Sequence, residues 1–349
     1  MGVSIDYGVA KAFAIKGLLL SHAELEELAE AGSLDDFMEK LRPSIYGRYI
    51  ADIPKPYTVL GSETAFKRHL IDTHYRLMNI SSNGDVLMAY FMRYPASNLK
   101  TVLKAKALEK SFEEIESAID LYAETLLGIR DEVLRAATAR DLYEAVRELE
   151  NTYLAKVADL ALRVWESKKD PTAFDVAIDR TLYSRILEAY NATPRSEREK
   201  IKPFVALDVD SYHILTILRA KLWELTPPEV REFLLPRAVS IGGAVIVQLI
   251  DAADAGAAAQ VIAQTAYRRL LPTEAPDIPT LLRSLEERFT TERYSLANKA
   301  YTRWTFSNAV LLAALILKEL EVRNLVTIAV GLAERLPTSD IVGKLLRVS

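Results

Sequence analysis

The sequence predicts an all-α fold. Apolar residues recur at i, i+3 and i+4 along most of the chain, and capping signals open the periodic stretches. No stretch alternates with period two between hairpin turns. With 349 residues, half of them hydrophobic, the chain can bury a large core in two or three compact units.

Taken in order, the first helix is expected around Tyr7 to Leu20. Ser21-His22-Ala23-Glu24 is a capping box that opens the second. Ser33 caps a third, whose first turn carries Asp35 and Asp36, acids that suit the positive end of the helix dipole. Residues 43–62, with Ile53-Pro54-Lys55-Pro56, read as a loop. Ser111 and Glu114 form another capping box, followed by the stripe Ile115, Ala118, Ile119, Tyr122 and Leu126, with Glu113, Glu114 and Glu116 off it. Pro194 and Pro203 bracket a charged stretch, Arg195 to Lys200, that reads as a solvated turn or exposed helix. Thr226-Pro227-Pro228-Glu229 combines an N-cap, a first-position proline and an acid at N3. Gly242-Gly243 marks a turn or helix start, and Leu271 to Pro279 is the clearest linker.

A short cassette occurs three times, as Asn98-Leu-Lys-Thr-Val-Leu-Lys-Ala-Lys106, His213-Ile-Leu-Thr-Ile-Leu-Arg-Ala-Lys221 and Asn324-Leu-Val-Thr-Ile-Ala-Val-Gly-Leu332. Each copy places three apolar residues on one helix face: Leu99, Val102 and Leu103; Ile214, Ile217 and Leu218; Leu325, Ile328 and Ala329. A second element runs from Asp36 to Tyr46, from Asp141 to Tyr153 and, in a degenerate Ala-rich form, from Asp254 to Tyr267. The spacing predicts a duplicated helical unit, with pseudo-repeats at roughly 1–112, 113–225 and 226–349. The last cassette lies near the C-terminus, so its unit must be completed by another part of the chain. The last helix is therefore expected to close onto the first unit.

Several function classes are disfavoured. The net charge is −4 and the pI about 5.8, without the basic stripe that nucleic acid demands. There are no cysteines, which excludes disulfides, thiolate metal sites and a cysteine nucleophile. The strongest apolar run, Ala309 to Leu317, would rise about 13 Å against the ~30 Å of a bilayer core. The start, Met1 to Asp6, does not read as a signal peptide. Neither a P-loop nor a G-x-G-x-x-G turn is present. His69 and His74 are five apart, which does not match H-E-x-x-H; His22 sits in a capping region; His213 fills the polar slot held elsewhere by Asn98 and Asn324. No cofactor or metal is expected. Asp35-Asp36-Phe37-Met38-Glu39 comes close to the diphosphate-binding motif of helical terpenoid synthases, but a capped helix start explains it better.

The stretch Ser307 to Leu325 joins an apolar helix to a charged patch and then to the third cassette. Its Lys318-Glu319-x-Glu321-x-Arg323-Asn324 resembles the C-terminal signature of the C-subunit family of V/A-type ATPases, whose vacuolar equivalent is the d subunit. Tyr7 before a small-residue helix, the Asn98–Lys106 segment, and Asp210 to Lys221 with Leu235-Pro236 and Gly242-Gly243 are similar to further family segments, so the resemblance covers nearly the whole chain. Pro95-Ala96-Ser97 stands where the family often has an Asp, and His213 replaces its usual Asn.

The resemblance implies an all-helical funnel of three similar units around a central hole. It implies a non-catalytic rotor subunit on the cytoplasmic face of the membrane, with the central stalk subunits and the proteolipid rotor ring as partners. An α-helical repeat scaffold for other partners is the alternative. The residues expected to carry structure or interface are Tyr7, Asn98, Lys106, His213, Lys221, Lys318, Glu319, Glu321, Arg323 and Asn324. Arg323 can pair with Glu319 one turn back. The preferred expectation is that Arg323 and Glu321 are buried and lock adjacent units together.

Overall fold

The computed structural model describes residues 5–81 and 84–347. Met1–Ser4, part of the segment where no signal peptide is expected, lies outside the described residues. Helices account for the regular structure, and no strand occurs among the described residues. In chain order the helices begin with α1 (Ile5–Gly17), α2 (His22–Ala29), α3 (Leu34–Leu41), α4 (Gly47–Ile50), α5 (Val59–Ile80), α6 (Gly84–Phe91) and α7 (Arg93–Ala107). Next come α8 (Phe112–Glu116), α9 (Tyr122–Leu127), α10 (Arg130–Thr138), α11 (Leu142–Glu148), α12 (Ala155–Lys168), α13 (Thr172–Ala192) and α14 (Arg195–Leu222). The chain continues through α15 (Pro227–Phe233), α16 (Gly243–Asp251), α17 (Ala255–Ile262), α18 (Ile278–Arg303), α19 (Asn308–Ala333) and α20 (Thr338–Gly343).

The chain forms two compact units. One combines Met1–Pro95, Asp120–Arg130 and Ala297–Ser349; the other combines Ala96–Ile119 and Asp131–Leu296. In the first, α19 packs against α1 and α5 and meets α2, α3 and α20. The first half of helix α19, residues 308–318, is buried all round, which explains why Ala309 to Leu317 is apolar on every face rather than along one stripe. Its core contains Leu25, Leu28, Phe37, Met38, Leu41 and Tyr46 together with Leu325, Ile328 and Ala329. In the second unit, Ile214, Ile217 and Leu218 share a core with Leu249, Ile250, Ala255, Ala258, Ile262 and Tyr267. The nine cassette residues assigned to the buried face are all buried, Leu99, Val102 and Leu103 included.

The caps are local and appear where the sequence puts them. Ser21 and Glu24 bond reciprocally, as do Ser111 and Glu114. The Glu229 carboxylate accepts from both the backbone and the hydroxyl of Thr226. Ser33 accepts the Asp36 N–H at 3.1 Å, and the Asp36 carboxylate accepts the Gly32 N–H at 3.0 Å. Asp36 is thus held within the helix start.

The second repeated element has a different register from the one read in the sequence. Its N-caps are Ser33, Asp141 and Asp254, which accept the N–H of Asp36, Glu144 and Ala257. Its far end is a hydroxyl turn. Ser44, Thr152 and Thr265 each donate to the carbonyl three residues back and accept the N–H two residues on. Those N–H groups belong to Tyr46, Leu154 and Tyr267, each thirteen residues after its N-cap. The middle copy is therefore completed by Leu154, which is 1% exposed, and not by Tyr153, which is 55% exposed. Pro203 likewise marks no break: it lies inside α14, near Glu199, which is exposed to water.

The three cassette helices end identically. Glu109, Glu224 and Arg335 take positive φ of 54°, 53° and 55°. The next residues, Lys110, Leu225 and Leu336, donate back to Ala105, Ala220 and Gly331 at 2.9, 3.0 and 2.8 Å. This is the Schellman turn, which normally uses glycine at its left-handed position. Gly331 itself is required for packing, since a Cβ there would lie 2.6 Å from Ile341 Cγ1 of α20. The substitutions Glu109→Gly, Glu224→Gly and Arg335→Gly should each stabilise by about 0.5–1 kcal/mol, because relief of the left-handed penalty exceeds the added chain entropy. Urea denaturation of each single variant checks this. A lower midpoint for any of the three would contradict it.

Candidate functional site

Under the third cassette lies a buried charge cluster. Lys318 is 1% and Glu321 4% exposed, one helical turn apart on α19. The Glu321 carboxylate accepts from the Lys318 ammonium, the Tyr46 hydroxyl and the Leu20 N–H. The Lys318 ammonium also sits 4.3 Å above the centre of the Tyr46 ring. Removing two charges from water costs several kcal/mol per ion, so the pair survives only with such hydrogen bonds around it. Burial lowers the Lys318 pKa, with the Glu321 charge opposing that shift. Burial also raises the Tyr46 pKa far above its ordinary value, and Glu321 adds to the effect. His69, 4.7 Å from the Tyr46 ring, is held neutral: burial first, then the Lys318 charge, pull its pKa to about 3.

Asp210 of α14 occupies the position in the second cassette that Glu321 has in the third. It accepts the Tyr267 hydroxyl at 2.8 Å and the N–H groups of Val239 and Ser240 at 2.8 and 2.9 Å. Both carboxylates thus bind the tyrosine at the end of a repeated element and the backbone entering a helix pair, α2–α3 for Glu321 and α16–α17 for Asp210. In the remaining copy both positions are apolar: Pro95 stands in place of the acid and Leu154 in place of the tyrosine. The Lys318 position is Leu207 in the second cassette and Met92 in the first, so the ammonium is peculiar to the third.

The other sequence-predicted residues fall into three groups. Lys106 and Lys221 act as a matched pair. Lys106 donates to the Ala139 carbonyl at 2.6 Å, and Lys221 donates to Ile250 and Ala252 at 2.6 and 2.7 Å. Ala139 and Ala252 each stand two residues before a repeated N-cap, Asp141 and Asp254, so both lysines tie a cassette to the following helix pair. Burial lowers the pKa of both. Leu332 takes this place in the third copy and packs, partly buried, on a core that includes Ala31, two residues before Ser33. Asn324 fills its slot with two bonds, donating to the Leu346 carbonyl at 3.0 Å and accepting its N–H at 2.9 Å. Asn98 is half-buried and partnered. His213 is fully buried with neither ring nitrogen hydrogen-bonded among the described residues. Burial pulls its pKa to about 4, and the Arg237 backbone offsets only part of that.

Arg323 and Glu319 differ from the expected pairing. Glu321 pairs with Lys318 and not with Arg323. Arg323 is exposed and pairs with neither Glu319 nor Glu321 among the described residues, because its place on α19 faces solvent. Glu319 instead bonds Arg93 at 3.0 Å. Tyr7 is 50% exposed on α1. Sequence reasoning missed the roles of Tyr46 and Leu20. The signal for Tyr46 was available, since tyrosine ends the element only in the copies whose partner cassette carries an acid. Among the described residues, no group of three or more His, Cys, Asp or Glu is arranged to hold a metal ion, and no helix is long and apolar enough to cross a membrane.

The described residues form an all-helical body in which Glu321 and Asp210 each tie a cassette helix to the tyrosine that ends a repeated element. The family model described as ATP synthase (C/AC39) subunit matches residues 9–343, and the chain belongs to that family. Relatives include the C subunit of the A-type ATP synthase of Methanocaldococcus jannaschii, 25% identical over 93% of this chain and 81% of its own. The corresponding C subunits of Thermococcus onnurineus and Desulfurococcus sp. (strain SY) are 26% and 27% identical, each over 93% of this chain and 85% of theirs.

Two outcomes are expected. Glu321→Ala leaves the Lys318 ammonium buried without its partner and should cost about 3–5 kcal/mol in chemical denaturation. A cost under 1 kcal/mol would mean the charge finds water easily. The second concerns acid. His213 is a base whose folded pKa, about 4, lies below its ordinary 6.5, so the unfolded chain takes up the proton first as pH falls. Its contribution is complete above pH 6.5 and is lost between 6.5 and 4, on the order of 3 kcal/mol. His69 adds a second loss that begins at the same pH 6.5 and runs on to about 3. His213→Asn, which restores the residue of the other cassettes, should reduce the pH dependence between 6.5 and 4 by about one proton, leaving the His69 part, with neutral stability within about 1 kcal/mol. Melting curves across that range read it directly.

Proposed function

We propose that this chain is a non-catalytic rotor subunit of an A-type ATP synthase. It would join the central stalk to the membrane proteolipid ring on the cytoplasmic face and carry torque between them. The observation that carries this reading is the third cassette. The family signature Lys318-Glu319-x-Glu321-x-Arg323-Asn324 contains the two residues, Lys318 and Glu321, that fasten α19 to Tyr46 and Leu20 near the other end of the sequence. Cassette-to-pair links of one kind recur, with α14 on α16–α17 and α19 on α2–α3. In this reading, pseudo-repeats at roughly 1–112, 113–225 and 226–349 form a funnel-shaped ring with a central hole.

A ring of helices suits the mechanical task. A two-helix shaft is only about 20 Å across. A membrane rotor ring is wider, so an adaptor has to span the difference and turn with both. Close-packed helices have low compressibility and pass torque with little loss.

A complex reconstituted without this chain should retain ATP hydrolysis by its catalytic head but lose ATP-driven ion pumping. Pumping at the full rate without it would refute the rotor role. In the same reading, isothermal titration of the isolated chain with ATP should give no heat. Deleting the chain from Lys318 onward should lower the melting temperature of the whole protein, because it removes the polar half of the third seam.

A further inference from the structure

Each repeated helix pair offers a cassette a similar seat. The stripes that face those seats are Leu325, Ile328 and Ala329 on α19 and Ile214, Ile217 and Leu218 on α14, all aliphatic and all buried. Apolar burial is non-directional and scales with area, so these stripes alone do not tell one seat from another. The lysine links do not tell the first two cassettes apart either, since Lys106 and Lys221 bond equivalent carbonyls. What does differ is the polar set. The third seam has Lys318, Glu321 and Tyr46; the second has Leu207, Asp210 and Tyr267; the remaining positions are Met92, Pro95 and Leu154.

We propose that these residues form a seating code, in which Lys318, Glu321 and Tyr46 direct α19 onto α2–α3 and reject the other two helix pairs. A seat beside Leu154 would leave the Glu321 carboxylate without a hydroxyl donor in a buried site, which is costly. A seat beside Tyr267 would bury the Lys318 ammonium where α14 presents Leu207. The converse also holds. An apolar cassette placed on α2–α3 would leave the Tyr46 hydroxyl, fully buried, with nothing to accept from it. Buried polar groups of this kind specify an arrangement by penalising the wrong one, at some cost to stability.

The test uses the full chain. The triple variant Lys318→Leu, Glu321→Leu, Tyr46→Phe makes the third seam apolar without opening a large void. After refolding from urea, hydrogen exchange of peptides from α2, α3 and α19 is followed by mass spectrometry. The wild type should give one isotope envelope. The triple variant should keep its helix content and melting temperature but show two envelopes in those peptides, with the less protected one at about 10% or more. A single wild-type-like envelope would overturn the proposal. Failure of the triple variant to fold would overturn it too, since the cluster would then supply stability and not selection. A second variant, Tyr46→Leu with Leu154→Tyr, moves the hydroxyl from one pair to another at unchanged composition. It should lower the yield of refolded monomer several-fold, and an unchanged yield would count against the code.

Discussion

The placement of α19 on α2–α3 depends on one buried carboxylate. Glu321 gathers the Lys318 ammonium, the Tyr46 hydroxyl and the Leu20 N–H onto two oxygen atoms, and its partner Tyr46 is 275 residues away in sequence. Without it, the most buried helix of the chain would meet α2–α3 through aliphatic surface alone. With it, rotation or sliding of α19 would strand a charge. The surrounding side chains fit that constraint: the Tyr46 ring lies under the ammonium, and His69 stays neutral next to it.

The three copies show how a repeat diverges when its copies must remain distinguishable. The backbone devices are retained: hydroxyl turns at Ser44, Thr152 and Thr265, and left-handed helix ends at Glu109, Glu224 and Arg335. The buried polar atoms are not. Acid and tyrosine occur together at two seams, and both are absent at the matching positions of the remaining copy. Side chains that touch change together because a lone survivor would be an unsatisfied buried group.

Much of this is legible in the sequence, for a physical reason. Caps at Ser21, Ser33, Ser111 and Thr226 are decided within four residues, so a sequence window contains the whole interaction. The cassette stripes are equally plain, because a period of 3.6 projects them onto one face. The seams are not plain, because their partners come from distant parts of the chain. Lys318 and Glu321 stand out by their pattern, yet charge alone also points to Arg323 as a member of the pair, and Arg323 is exposed. Matching the copies by residue type favours Tyr153 over Leu154. The hydroxyl turn of Thr152 fixes the register one residue later. Pro203 has the look of a break, although a helix with a solvated turn tolerates it.

The first compact unit is assembled from both ends of the sequence, Met1–Pro95 and Ala297–Ser349, while the second lies almost wholly between them. On a ribosome this imposes an order. At about 5–20 residues per second, α2 and α3 emerge long before α19, and their apolar faces must wait while the intervening unit is made. The short helices α2–α4 are exposed to chaperones and proteases throughout that interval. Their outer faces carry Glu24, Glu27, Asp35 and Lys40, charges that oppose association of a half-made chain until α19 arrives.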